Sequence, residues 1–253
     1  MKERMYRISA FAERVKLELL RDPLSYVFAL GFPLVMLIVM TLLSESIPPE
    51  AEMTVFRIDN LAPAVYVFGL SFLMLFTALL VSKDRTEAFL VRLYISPMSR
   101  ADFLLGYTIP VLILAVLQGS VTMATAFGIA AFTGDSLNPA GMAAVLAVSV
   151  PAALLFIGFG LLFGVLFSDK TAPPLSSVVI SLSSFLGGMW MDLSHMSGVL
   201  VMLCDLLPFR HAVDAGRMAL AMSFDGIGMH LAVVSAWTAA VYLLAIPAFR
   251  KKL

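Results

Sequence analysis

The chain has 253 residues, of which 60% are hydrophobic and only 13% are charged, about half the charge of a soluble domain. This composition excludes a disordered chain, and a soluble enzyme would need more charge to cover its surface. The 17 basic and 17 acidic residues give a net charge of zero, which argues against a nucleic acid partner, since nucleic acid binding needs a basic surface. The composition therefore predicts an all-α integral membrane protein, folded as a single transmembrane domain over residues 1–253.

The first predicted element is an amphipathic interfacial helix in residues 1–22. Its apolar residues recur at helical spacing and share one face: Ile8, Phe11, Ala12, Val15 and Leu19. Asp22-Pro23 ends the helix, because a residue before proline disfavours the helical conformation. We expect this helix to lie on the cytoplasmic surface of the membrane, with its basic side chains toward lipid phosphates. A docking surface for a cytoplasmic partner protein is the alternative.

Six apolar runs predict membrane-spanning helices, since a bilayer core takes about 20 residues of helix. They cover residues 24–43, 61–82, 103–133, 140–167, 175–191 and 228–249. We expect Pro33, Pro110 and Pro151 each to kink its span, because proline removes a backbone N–H group. Gly160 and Gly164 lie four residues apart in the fourth span and predict close helix packing there.

The stretch from Lys83 to Arg100, after the second span, is charged and then weakly amphipathic. It predicts a cytoplasmic helical segment, with an ordinary solvated loop as the alternative. Ser96-Pro97 ends the segment, and Ser99 is expected to cap the third span together with Asp102.

Two of the predicted spans carry polar residues at helical spacing. These are Gln118, Thr122 and Thr125 in the third span and Ser177, Ser181 and Ser184 in the fifth. They either line a translocation path or form hydrogen bonds between helices, which are worth about 0.6 kcal/mol each in a bilayer. For any single residue we favour the hydrogen bond between helices.

Residues 192–227 are apolar but interrupted by charges. The two apolar pieces on either side of Leu207-Pro208 are too short to cross a membrane, so a re-entrant or interfacial helical hairpin is predicted. Asp214 lies at helical spacing from three basic residues and is expected to pair with them: Arg210, His211 and Arg217. A structural ion network is the first interpretation of this group, and an outer gate or a contact for departing cargo is the alternative.

The orientation follows from the basic residues. Fourteen of the 17 lysines and arginines fall in the N-terminal tail, in the loops after the second and fourth spans, and at the C-terminus. Cytoplasmic loops carry this excess, so both termini are predicted on the cytoplasmic side of the cell membrane, with the hairpin at the outer face.

Three segments resemble the permease subunits of ATP-binding-cassette exporters of the ABC-2 type family. The first is residues 87–100, EAFLVRLYISPMSR, followed by Leu104-Leu105-Gly106. The second is residues 208–217, PFRHAVDAGR, and a weaker third is residues 185–190, FLGGMW. The order of spans and the hairpin match over essentially the whole chain, although Ala88, Phe89 and Asp192 depart from the residues common in the family.

The resemblance implies a dimer of permeases, formed by a second copy or a paralogue, that binds two cytosolic P-loop ATPase subunits. ATP and Mg would be bound by those subunits, which contact the interfacial helix and the segment after the second span. The residues expected to couple the chain to the ATPase are Phe11, Val15, Glu87, Arg92, Leu93, Pro97 and Arg100.

The chemistry of an enzyme is not visible in the sequence. A P-loop needs G-x-x-x-x-G-K-[ST], and the Lys170-Thr171 pair is preceded by Asp169 where glycine is required. The single cysteine, Cys204, and three histidines predict neither a disulfide nor a metal site. The resemblance therefore implies an exporter permease, with drug or antibiotic efflux as one use, and the sequence predicts no cofactor of its own. A permease for a lipid or lipid-linked glycan, a membrane-embedded enzyme and an assembly factor are the alternatives.

Overall fold

The computed structural model describes residues 2–23, 27–48, 54–87, 98–191, 193 and 196–251. Over these residues the fold is all-α, as predicted. The helices are α1 Lys2–Arg21, α2 Phe32–Ser46, α3 Ile58–Thr86, α4 Arg100–Thr133, α5 Pro139–Val148, α6 Val150–Leu166, α7 Ala172–Leu186, α8 Val199–Leu206, α9 Pro208–Leu220 and α10 Ile227–Lys251. A π-helical turn, Val27–Gly31, leads into α2, and a 3-10 turn, Thr54–Phe56, precedes α3.

Five helical stretches of the described residues are long and apolar enough to cross a membrane. They are Val27–Ser46, Ile58–Thr86, Arg100–Thr133, Pro139–Leu166 and Ile227–Phe249. The predicted span at 175–191 is not among these five stretches. Its helix, α7, has only 15 residues and is about 22 Å long, whereas a bilayer core is about 30 Å thick. It ends at Leu186, ahead of two glycines, the second of which has a left-handed backbone (φ 66°).

Helix α3 lies at the centre of the bundle. It packs against α2, α4, α6, α7 and α9, and 72% of its most apolar window is buried, whereas the first and last spans are 17% buried. The outer helices instead expose large apolar side chains, including Val35, Leu42, Leu243 and Leu244. A surface of this kind is stable in lipid rather than in water, as expected for a multi-pass membrane protein.

The packing of α6 on α3 depends on the two glycines that the sequence pattern identified. A Cβ atom added at Gly160 would lie 2.5 Å from the carbonyl oxygen of Met74, and one at Gly164 would lie 2.7 Å from that of Ala78. The backbones therefore approach more closely than any larger residue allows, and the predicted close packing is confirmed.

The three prolines affect their helices differently. The π-helical turn ends and α2 begins beside Pro33. The predicted fourth span is divided into α5 and α6 by a break at Ser149, and Pro151 lies just after this break, in the first turn of α6. Proline is tolerated in a first turn because the N–H groups there have no helical partner. Pro110 lies inside α4 without ending it.

The Gly160 contact predicts a selective loss of stability. Gly160→Ala should destabilise the protein by about 1–3 kcal/mol, because the new methyl group overlaps a backbone carbonyl that cannot move aside. Gly128→Ala in α4 is the matched control, since no atom lies within 4 Å of its added Cβ. Thermal unfolding of the purified variants in detergent measures the difference, and equal melting temperatures would contradict this account of the packing.

Candidate functional site

A buried ion cluster joins α1 to the C-terminal end of α3 and the first turns of α4. The Asp84 carboxylate is fully buried, and both of its oxygens lie 2.5 Å from guanidinium nitrogens of Arg14. The Tyr107 hydroxyl donates to the same carboxylate at 2.6 Å, and Glu18 lies 2.7 Å from Arg14. These four residues, Arg14, Glu18, Asp84 and Tyr107, are named the Asp84 cluster below.

The Asp84 cluster holds its charges in place by mutual pairing. Burial disfavours the charged guanidinium of Arg14, but its hydrogen bonds and attraction to Asp84, together with Glu18, raise the pKa of Arg14 above its ordinary value. The bidentate geometry is the strongest form of an arginine–carboxylate contact. Loss of Arg14 would leave the fully buried Asp84 carboxylate without the cation that pairs with it, so α1 is held firmly at this position.

The apolar stripe of α1 faces protein rather than lipid. The five predicted stripe residues are all buried, and Phe11 packs edge-on against Phe103 and Tyr107 of α4, with ring centroids 5.9 and 4.9 Å away. Gly106 makes room for this contact, since a Cβ atom there would lie 2.2 Å from the Phe11 ring. The predicted amphipathic helix is confirmed, and its apolar stripe is covered by α4.

Two further contacts tie the same end of the bundle together. Asp102 accepts a hydrogen bond from the Ser99 backbone at 2.8 Å in the predicted cap of α4, and its other oxygen lies 2.6 Å from Arg4 of α1. Arg85, at the end of α3, donates to the carbonyls of Val165 and Phe167 at the end of α6. The ends of α1, α3, α4 and α6 are therefore joined by charged side chains.

A groove of about 860 Å³ opens beside the Asp84 cluster, between the second half of α1 and the end of α3. Both apolar and charged side chains line it. Residues that line it include Leu17, Arg21, Phe76, Leu79, Lys83 and Asp169.

The predicted ATPase-coupling residues divide into three groups. Glu87 and Arg100 are exposed where α3 ends and α4 begins. Phe11 and Val15 are buried, so direct contact of their side chains with a partner is excluded while α1 holds this position. Outside the described residues lie Arg92, Leu93 and Pro97.

The predicted hairpin contains two short helices, α8 and α9, with the break at Leu207-Pro208. Arg210 contacts Asp205 at 2.5 Å and Asp214 at 3.3 Å, and Arg217 lies 3.5 Å from Asp214. Arg217 also donates to the carbonyls of Asn60 and Gly188, at 3.2 and 3.0 Å. The ion network is thus present, and it fixes α9 to the beginning of α3.

His211 departs from that prediction. Its ring does not pair with Asp214 but contacts His230 of α10 and the backbone carbonyl of Asp205. His211 lies on the buried side of α9 and is 6% exposed. Asp214 is half-buried and lies among the arginines.

The polar residues within the spans bond mainly to their own helices. Thr122 and Thr125 donate to carbonyls four residues earlier, and the Ser177 and Ser184 hydroxyls bond to carbonyls of α7 in the same way. Among the described residues, these four hydroxyls therefore do not make the hydrogen bonds between helices that the sequence favoured. Ser177 and Ser181 are exposed.

Gln118 differs from these hydroxyls. Its side chain is fully buried, and neither amide atom has a hydrogen-bond partner in the part of the chain that the structure describes. The amide lies over Gly69 of α3, where an added Cβ atom would come within 1.7 Å of its nitrogen.

The sequence analysis missed Asp84, Tyr107 and the role of Arg14. A carboxylate at the end of an apolar run is a signal, because a charge at that depth needs a cation as its partner. The sequence does not say which cation, since Arg14 lies 70 residues away.

Comparison with known protein families gives one match. The family described as ABC-2 type transporter matches residues 6–221 of the chain, from α1 to the end of α9. This range contains both charged ends of the bundle. No curated protein gives a significant match to the chain.

The Asp84 cluster predicts strong coupling between two distant residues. Arg14→Met should destabilise the protein by roughly 3 kcal/mol, because it removes the cation that pairs with the fully buried Asp84 carboxylate. Lys16→Ala is the control, since Lys16 and Glu13 form an exposed pair within α1 and its loss should change stability by at most about 0.5 kcal/mol. A double-mutant cycle with Arg14→Met and Asp84→Leu, followed by thermal unfolding, measures the interaction, and additive effects would contradict it.

Proposed function

Because the chain belongs to the ABC-2 type transporter family, we propose that it is the permease subunit of an exporter that moves a substrate outward across the cytoplasmic membrane. The family supplies the membrane component of the transporter and lacks a nucleotide-binding domain of its own. A separate ATP-binding-cassette ATPase is its partner. In this proposal the partner binds ATP and Mg in the cytosol.

One observation carries the coupling part of the proposal: the Asp84 cluster fixes α1 to the two helices that residues 88–97 connect. Asp84 belongs to the end of α3, and Tyr107 belongs to the beginning of α4. A force applied to the connecting residues or to α1 therefore reaches both helices through short charged contacts. Long flexible contacts would absorb such a movement instead of transmitting it.

We propose that the ATPase docks on the surface formed by the exposed face of α1, Glu87, Arg100 and residues 88–97. The groove beside the Asp84 cluster offers a partner both apolar and charged side chains. Phe11 and Val15 take part indirectly, because they hold α1 in the position from which it contacts the ATPase.

The orientation in the membrane is part of the proposal. The basic residues near the Asp84 cluster lie at one end of the bundle and include Lys83, Arg85 and Arg100. At the other end Arg210 and Arg217 are neutralised by aspartates. By the positive-inside rule the end with the Asp84 cluster and both termini face the cytosol, and the α8–α9 hairpin lies at the outer face.

The cargo is proposed by class only. Apolar or amphipathic compounds, such as a drug or antibiotic, fit a bundle that has few charges at depth, and a lipid or lipid-linked glycan is the second class. The outer helices α2 and α10 have large uncovered apolar faces, which supports association with lipid and with a second permease copy or a paralogue. Gln118 and Thr122 are the buried polar groups that we propose for the path.

The docking surface is tested by two substitutions. Leu93→Asp should abolish recovery of the ATPase with the tagged permease, because a charge interrupts the apolar face of the segment. Glu87→Ala should preserve recovery but reduce transport-coupled ATP hydrolysis severalfold, since a single exposed charge contributes only about 0–1 kcal/mol to binding. Glu45→Ala, which removes an exposed glutamate at the opposite end of the bundle, is the matched control.

Complexes purified from native membranes give both the recovered ATPase and the rate of ATP hydrolysis. Full recovery and full hydrolysis with Leu93→Asp would contradict the proposed docking surface.

The orientation is tested by labelling single cysteines in intact cells, in a Cys204→Ser background. Gly226→Cys, in the exposed turn before α10, should react with an impermeant maleimide from outside. Lys170→Cys, in the exposed turn before α7, should react only after the cells are permeabilised. The reverse pattern would overturn the proposed topology.

A further inference from the structure

Two histidines meet at the end of the bundle opposite the Asp84 cluster. Nδ1 of His211 on α9 lies 2.9 Å from Nδ1 of His230 on α10, and Nε2 of His211 lies 2.8 Å from the carbonyl oxygen of Asp205 on α8. A carbonyl only accepts, so Nε2 of His211 carries its hydrogen. In neutral His211 the Nδ1 atom is then an acceptor, and His230 donates from its own Nδ1.

The charged groups around this pair balance one another. Asp205 on α8 and Asp214 on α9 are the anions, and Arg210 and Arg217 on α9 are the cations that pair with them. The two aspartates and two arginines have no net charge, so each proton that the histidines bind adds a positive charge that these groups do not neutralise. The first proton enters at Nε2 of His230 and leaves the shared hydrogen bond in place, because His230 still donates from Nδ1.

The second proton has a different effect. It has to enter at Nδ1 of His211, where it places two N–H groups and two positive charges against each other across 2.9 Å. His211 is 6% exposed, so water screens this repulsion poorly. The contact is therefore stable with zero or one proton and is broken by two.

We propose that the His211–His230 pair is a proton-sensitive contact that holds the α8–α9 hairpin against α10 and releases it on acidification. Since His211 also bonds to the Asp205 carbonyl, displacement of its ring removes one of the contacts that hold the end of α8 and leaves the Trp237 hydrogen bond to the Leu206 carbonyl and the Arg210–Asp205 pair. The inference concerns the stability of the hairpin and requires neither a cargo nor the ATPase. In the proposed orientation it would make the outer end of the permease responsive to external acidity.

The single cysteine of the chain reports on this release. Cys204 precedes Asp205 on α8 and is fully buried, and burial raises the pKa of its thiol. A disulfide reagent that reacts in acid, 4,4′-dithiodipyridine, is therefore the appropriate probe. The protein is reconstituted in lipid nanodiscs, so the reagent reaches both faces and the result does not depend on the topology.

At pH 7 we expect slow modification of Cys204. At about pH 5 we expect the rate to rise about tenfold relative to the same protein unfolded at each pH. His230→Asn is the matched variant, because its amide replaces Nδ1 as a hydrogen-bonding group and does not titrate. It should keep Cys204 protected at both pH values.

His211→Phe should expose Cys204 at both pH values, because phenylalanine bonds neither to the Asp205 carbonyl nor to His230. Circular dichroism of each variant checks that the helices remain. Protection of Cys204 in the wild type at both pH values would overturn the proposal, and so would an unchanged pH response in His230→Asn. Neither result would affect the proposed transport function, which is tested by recovery of the ATPase and by its rate of ATP hydrolysis.

Discussion

The ion pair between Asp84 and Arg14 fixes the position of α1. The arrangement of the helix ends around the Asp84 cluster depends on that position. The carboxylate is shielded from water, and the guanidinium neutralises it through both of its terminal nitrogens. With this pair in place, Phe11 fits into the space left by Gly106. A charge pair of this kind contributes little net stability compared with apolar packing, but it permits one position of α1 and strongly disfavours others.

Helix α3 connects this end of the bundle to the other. It is about 43 Å long and carries Asp84 near its end, whereas Asn60 in its first turn accepts a hydrogen bond from Arg217. Between these polar ends, Gly160 and Gly164 bring the backbone of α6 against that of α3. Because closely packed interiors transmit strain, we expect a displacement of one end of α3 along its axis to reach the α8–α9 hairpin.

Local patterns predicted the local structure well. The spacing of Ile8 to Leu19 predicted the buried face of α1, and Ser99 with Asp102 predicted the cap of α4. Contacts between distant segments could not be predicted, because no periodicity relates Arg14 to Asp84 or His211 to His230. The early end of α7 was missed for a related reason: residues after Leu186 remain apolar, and the glycines that stop the helix act through backbone conformation.

The short length of α7 has a consequence for the lipid around the protein. This helix packs along α3 but covers only about half of its length, and it exposes Val178, Leu182 and Phe185. The apolar surface there is about 22 Å high, whereas the neighbouring spans offer a full bilayer thickness. Thinner lipid is one way to accommodate a short apolar surface, so where α7 faces the bilayer we expect short or unsaturated acyl chains. The apolar perimeter of the permease is consequently uneven, and we expect acyl-chain length as well as charge to select its surroundings in the membrane.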